Sequence, residues 1–197
     1  MRVYTEDEIT FPHGETRKLH DIPGWESFQK DSVHIVPNNY LFDARKFAHK
    51  VYAQLDAFES GERYVVWLDG DIVFKKELTR TFLRNLVKGC LAAYLGRRGA
   101  YTETGFLIFD TKHPDFDIFK RRYRDFYDKR LIFMLDYWID CMAFDAAIHD
   151  LEARNLTPEV SGLVDVFSRS PLAEIMDHDK GARKYKRQDE VLSKAAV

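Results

Sequence analysis

The chain has 197 residues, 45% of them hydrophobic and 14% aromatic, enough for one packed domain and short for two. Its Lys+Arg 30 and Asp+Glu 32 nearly cancel to a formal net charge of -2, so there is no overall attraction for nucleic acid and any anion site must be local. Cys90 and Cys141 make no disulfide framework and read as buried reduced thiols; no apolar run approaches the ~20 residues needed to cross a bilayer, and Met1-Arg2-Val3-Tyr4 starts no signal peptide, so a soluble cytoplasmic protein is expected.

Arg2 to Thr5 reads as a short strand with Glu6-Asp7-Glu8 as its turn. Residues 9–32 are polar and carry Pro12, Gly14, Pro23 and Gly24, which predicts a loop with about one helical turn. Asp43 is placed to cap a helix whose apolar positions Phe47, Val51, Leu55 and Phe58 recur at helical spacing, with Gly61 to end it. Arg63 to Leu68 is an apolar run rich in Val, Tyr and Trp, a buried strand stopped by Asp69-Gly70-Asp71. Glu77 to Lys88 predicts an amphipathic helix closed by Gly89. Leu91 to Leu95 and Gly105 to Phe109 predict two more strands. Pro114 to Arg130 predicts a helix with Phe116, Phe119, Tyr123 and Phe126 on one side and Lys120, Arg121, Arg122 and Arg124 outside, the pattern of a solvated face. Tyr137 to Arg154 predicts a more apolar helix, and Gly162 to Phe167 a last strand before a polar tail from Ser168 onward. Strands alternating with helices make the expected class α/β, with a mostly parallel sheet flanked by helices. Residues 1–197 form one expected domain, of which 170–197 is a polar C-terminal tail.

The sharpest chemical feature is Val65-Val66-Trp67-Leu68-Asp69-Gly70-Asp71. Ligand sites in open α/β sheets lie at the carboxyl ends of strands, and two carboxylates two residues apart can turn toward one point there. Like charges so placed raise one another's pKa unless a cation is supplied, and hard divalent cations take oxygen ligands of this kind and bridge them to phosphate. The plainer alternative is an acidic turn with Gly70 at positive φ. The second feature is Asp177-His178-Asp179-Lys180-Gly181-Ala182-Arg183-Lys184: an imidazole that can ligate a metal, lysines that can neutralise phosphate, and a glycine that lets backbone approach an anion.

An apolar strand, Asp-x-Asp, a later Thr104-Gly105-Phe106 strand, a helix containing Trp138-x-Asp140 and a C-terminal His178-x-Lys180-Gly181, in that order, resemble the metal-dependent, nucleotide-sugar-using glycosyltransferases of the GT-A kind, a Rossmann-like fold. The resemblance runs from about Arg2 to Lys184. It implies that Asp69, Asp71 and His178 hold Mn²⁺ or Mg²⁺ against the diphosphate of a nucleotide-sugar donor. It also implies that Lys180, Lys184 and the Gly181 backbone contact the phosphates, and that Arg45, Lys46 and Lys50 face the nucleotide. Glu103 and Asp140 are the implied catalytic carboxylates near the transferred sugar, and an inverting enzyme would draw its base from Glu103, Asp140 or Asp145. The acceptor is a carbohydrate or other hydroxyl. Against this family the chain opens late: Arg2 to Thr5 matches the second strand, and roughly thirty residues, one βα unit, have no counterpart. That strand is therefore expected beside an unfilled place in the sheet.

Two other readings stand beside this one. Four apolar residues followed by Asp69-x-Asp71-x-Val73 resemble the opening motif of haloacid dehalogenase-like phosphatases, with Asp69 as nucleophile, Asp71 as acid/base and Asp136 with Asp140 as the later metal motif. A degenerate, non-catalytic module that binds a sugar or nucleotide is the third.

Overall fold

In the computed structural model, which describes residues 1–7, 14–31 and 35–178, the chain opens with strand β1 (Arg2–Thr5), paired in parallel with β2 (Glu15–Lys18). A short helix α1 (Trp25–Gln29) follows. The long helix α2 (Ala44–Phe58) starts at the expected cap: the Asp43 carboxylate accepts the Lys46 N–H at 3.1 Å, satisfying one of the free donors of the first turn. Then come β3 (Tyr64–Leu68), β4 (Ile72–Phe74) and α3 (Arg80–Val87), the last capped by Thr79. Strands β5 (Ala92–Arg97) and β6 (Ala100–Asp110) are joined by Arg98 and Gly99, and they are followed by α4 (Phe116–Asp128), α5 (Asp140–Ile148), β7 (Ala153–Asn155) and β8 (Met176–His178). Among the described residues no helix is long and apolar enough to cross a membrane.

The class is mixed α/β, with a sheet flanked by helices. The central sheet has the order β3-β6-β5-β7, in which β3–β6 and β5–β6 are antiparallel and β5–β7 is parallel. A mostly parallel sheet was the expectation; the antiparallel pair at its centre follows from a connection two residues long. Parallel neighbours need a crossover of a dozen residues or more, whereas two residues with Gly99 at φ 71° close a hairpin.

Alternate residues divide the core into two layers, as strand geometry requires. Val65, Trp67, Leu107 and Phe109 pack against α2, α4 and α5, while Val66, Leu68, Phe106 and Ile108 pack against α3 and the chain from Val160 to Met176. Two expectations fail in that second layer. Gly162 to Phe167 is no strand: Leu163 is exposed and only Val166 and Phe167 reach the core. From Ser168 to His178 the chain is not a polar tail, because Leu172 and Met176 are fully buried and β8 pairs antiparallel with β4. Short apolar segments spaced by turns carry no period, so their burial is decided by what they pack on.

β3 sits at the sheet edge, and among the described residues no strand pairs with its far side. All five of its residues are half-buried despite the apolar sequence Tyr64-Val65-Val66-Trp67-Leu68. β1 stands nearby, with the Tyr4 and Trp67 rings 6.3 Å apart between centroids, but its backbone pairing is with β2.

Candidate functional site

The site is built where β3 ends. Asp69 donates its backbone N–H to the Gly105 carbonyl, and Ile72 donates to the Asp69 carbonyl, so Asp69 to Ile72 is a tight turn that sends the chain from β3 straight into β4. Gly70 does not use a positive φ in this turn. β4 then pairs with β8 in a register that sets Ile72 opposite His178. That register is what brings a residue 107 positions away beside the acidic turn: His178 Nε2 lies 2.8 Å from Asp71 Oδ1. Asp69, Asp71 and His178 each offer a ligand atom within 4.8 Å of the others'. His178 is almost wholly buried, edge-on to the Phe167 ring.

β6 supplies the floor. Tyr94 of β5 faces Leu107, but the next residue, Leu95, faces Glu103, so Thr104, Gly105 and Phe106 have no partner on β5. Such a bulge bends a strand and re-aims its side chains. Here it turns Thr104 toward α5 and Glu103 toward β5. Gly105 leaves room for the imidazole, since a Cβ there would stand 2.6 Å from His178 Cε1 and 2.8 Å from Nδ1.

Two charge groups meet at the turn. On one side the Lys50 ammonium, from α2, lies 2.8 Å from Asp69 Oδ1, 3.1 Å from Asp140 Oδ2 and 3.1 Å from Thr104 Oγ1, which uses its three donors. The Thr104 hydroxyl donates to Asp140 Oδ2 at 2.6 Å, and the Trp67 indole donates to Asp69 Oδ1 at 2.7 Å. Burial works against the charge on Lys50, but Asp140 and Asp69 more than offset it and hold its pKa above the ordinary lysine value. On the other side Arg97 donates to Glu103 Oε2 at 2.9 Å in an ion pair that is almost fully buried, and Glu103 Oε1 lies 3.6 Å from His178 Nδ1. Asp69, Asp71, Glu103 and Asp140 thus gather around one turn, with Asp69 and Asp140 on Lys50, Glu103 on Arg97 and Asp71 on His178. All these groups except Arg97 line one cleft of about 910 Å³, whose farther walls carry Tyr4, Tyr40, Lys46, Phe47, His49 and Tyr101.

The structure thus brings Asp69, Asp71 and His178 together and sets Glu103, Asp140 and Lys50 around them. Lys50 lines the cleft, with its ammonium bonded to Asp69, Asp140 and Thr104. Glu103 and Asp140 are buried, ion-paired carboxylates, poor candidates for a base that must meet an acceptor hydroxyl. Asp145 does not line the cleft: it accepts the Thr102 N–H, and burial raises its pKa. Arg45 also lies off the cleft, with its guanidinium on Gln29. Lys46, from the same helix, takes a place on the cleft wall over the Tyr40 ring. Lys180, Gly181 and Lys184 lie outside the described residues.

Arg97, Trp67 and Tyr40 are site residues that pattern reading passed over. Trp67, two residues before Asp69 on the same strand face, carried a usable signal; Arg97 and Tyr40 carried none, because only the hairpin and the turn before α2 bring them in. No family model, no curated protein and no solved structure matches this chain.

Proposed function

We propose that this chain is a divalent-metal-dependent glycosyltransferase that moves a sugar from a nucleoside diphosphate sugar to an acceptor hydroxyl, as a GT-A-like enzyme would. The observation that carries the reading is the meeting of Asp69, Asp71 and His178 ligand atoms, within 4.8 Å of one another, on the wall of a 910 Å³ cleft. Carboxylate oxygens with one imidazole suit Mn²⁺ or Mg²⁺. A cleft of this volume also fits a nucleotide-sized molecule.

When bound, the ion would offset the negative charge that grows on the diphosphate as the bond to the sugar breaks. The protein's own part is positioning. Asp69, Asp71 and His178 would hold the ion, while Lys50 and the Trp67 indole fix one oxygen of Asp69 so that the other is left to ligate. Tyr40, Phe47 and Tyr101 line the cleft and would give a base or a sugar aromatic surface to pack on. The phosphatase reading fares less well. It needs a free nucleophile at Asp69, where one oxygen is held by two donors, and a metal ligand at Asp136, which is exposed and off the cleft.

The test is a melting experiment with Mn²⁺ and a nucleoside diphosphate. Together they should raise the melting temperature, with a gain approaching ~2.7 kcal/mol at a hundredfold excess over the dissociation constant, and the nucleotide alone should not. The Asp71→Asn variant should lose the gain. A folded wild type that shows no metal-linked shift would instead be the degenerate binding module.

A further inference from the structure

The buried pair Arg97–Glu103 has no role in holding an ion directly, yet it stands against the one nitrogen ligand of the site. The guanidinium donates to Glu103 Oε2 at 2.9 Å and also to the carbonyls of Tyr101 and Val164, so it is pinned at three points. Glu103 Oε1 accepts the Gly105 N–H at 3.1 Å and faces His178 Nδ1 at 3.6 Å. The opposite ring nitrogen, Nε2, is the one aimed at Asp71. Phe167 packs against the ring in a T-shaped contact, and the missing side chain of Gly105 makes the space it fills. A metal-ligating histidine is ordinarily oriented by a carboxylate at its other nitrogen, which fixes the ring and raises its basicity.

From this geometry, and resting on the metal reading above, we infer that Glu103 is a positioning residue: clamped by Arg97, it holds the His178 ring so that Nε2 is presented to the cation beside Asp71. His178 Nε2 and the Asp71 carboxylate would then both hold the cation from where they stand, and the ring would not have to turn. Glu103 is thereby not the acceptor base. Its carboxylate belongs to the site without touching the donor, the acceptor or the ion. Arg97 matters because an unpaired Glu103 would be a buried charge free to swing toward Asp71 or the incoming ion, rather than one fixed at the far nitrogen.

The test follows Mn²⁺ binding to the whole chain by the electron-spin signal of the free ion, with melting curves of the metal-free protein alongside. Glu103→Gln should weaken Mn²⁺ binding by ~10–100-fold and shift the ring ¹⁵N resonances of His178 in the metal-free protein. Because Glu103→Gln leaves Arg97 without its anion, the paired variant Arg97→Met/Glu103→Gln, which removes both charges together, should show the same loss of affinity with a smaller loss of stability. Glu103→Asp, which keeps the charge, should recover part of the affinity. If both Gln-bearing variants bind Mn²⁺ within threefold of wild type while Asp71→Asn does not bind, the role of Glu103 is overturned and the metal site stands. If the wild type itself binds no Mn²⁺, both fall.

Discussion

Two acidic clusters lie along α2, one near its C-terminal end and one at its middle, and they differ in what they hold together. Near its C-terminal end Asp56 accepts from Arg2 Nη1, Arg17 Nη2 and the Tyr4 hydroxyl, while Glu15 takes the remaining contacts of the same two arginines. Two anions meet two cations, and the Asp56 contacts tie the β1–β2 pair onto the helix. At Lys50, earlier on the same helix, Asp69 and Asp140 meet the ammonium, and Asp71 beside them faces His178. The first cluster joins a strand pair to the helix, and the second gathers candidate ligand atoms at one point of a cleft. Hydrogen bonding alone does not separate them, since both are well bonded; what they hold does. Removing an acid from the first should therefore cost stability, and removing Asp71 from the second should cost metal binding instead.

The largest effect is expected at the first cluster. Asp56→Ala strands two guanidinium groups and a phenol, and should cost about 2–3 kcal/mol in urea unfolding at pH 7. Burial raises the Asp56 pKa, but Arg17, Tyr4 and Arg2 together outweigh it and the net shift is downward. A lowered carboxylate pKa contributes stability above the unfolded value of ~3.9 and loses it as pH falls through the folded value. The gap between wild type and Asp56→Ala should therefore shrink between about pH 5 and pH 3. A gap that stays constant through that window would mean the carboxylate's charge is not what holds β1 and β2 down.

A middling effect is expected at Gly105. Its φ is not in the left-handed region, so the backbone accepts alanine, but the new Cβ meets the His178 ring at 2.6 Å. The ring is held by Phe167 and by β8, so Gly105→Ala should cost about 1–3 kcal/mol and weaken Mn²⁺ binding as His178 is pushed off Asp71. Normal Mn²⁺ affinity in a Gly105→Ala protein would show that His178 is not a ligand.

The smallest effect, and the most telling, is expected at Asp71. Asn at this position keeps an oxygen opposite His178 Nε2, so metal-free Asp71→Asn should stay within ~1 kcal/mol of wild type in the same urea experiment. A loss as large as that of Asp56→Ala would erase the contrast between the two clusters.

Much of this was legible in the sequence because it is local. The Asp43 cap, the α2 stripe of Val51, Leu55 and Phe58, the β3 run and the turn at Asp69 to Asp71 depend on neighbours within a few positions, where helical and strand periods act directly. Asp69, Asp71 and His178 were also named from the sequence as one set, but on resemblance to a family rather than by any local signal. Their meeting depends on β4 pairing with β8, a three-residue ladder between strands about a hundred positions apart, and neither strand shows a period long enough to read.

The sequence by itself determined α2 and α4, the strand-to-turn step at β3 and the supply of acids around it, while its last helix, read as Tyr137 to Arg154, stops at Ile148 and gives way to β7. Only the tertiary structure decided how those acids are used. It closed β5 and β6 into a hairpin with a bulge at Thr104 to Phe106, which sends Thr104 to Asp140 and Glu103 to Arg97 from adjacent positions on one strand. It spent Lys50 on Asp69 and Asp140, left Asp71 beside His178, and buried Leu172 and Met176 in a segment that reads as polar tail. The physical reason is that a charge's role is set by which counter-charge reaches it and how much water remains, and both are fixed by contacts between residues far apart in the chain.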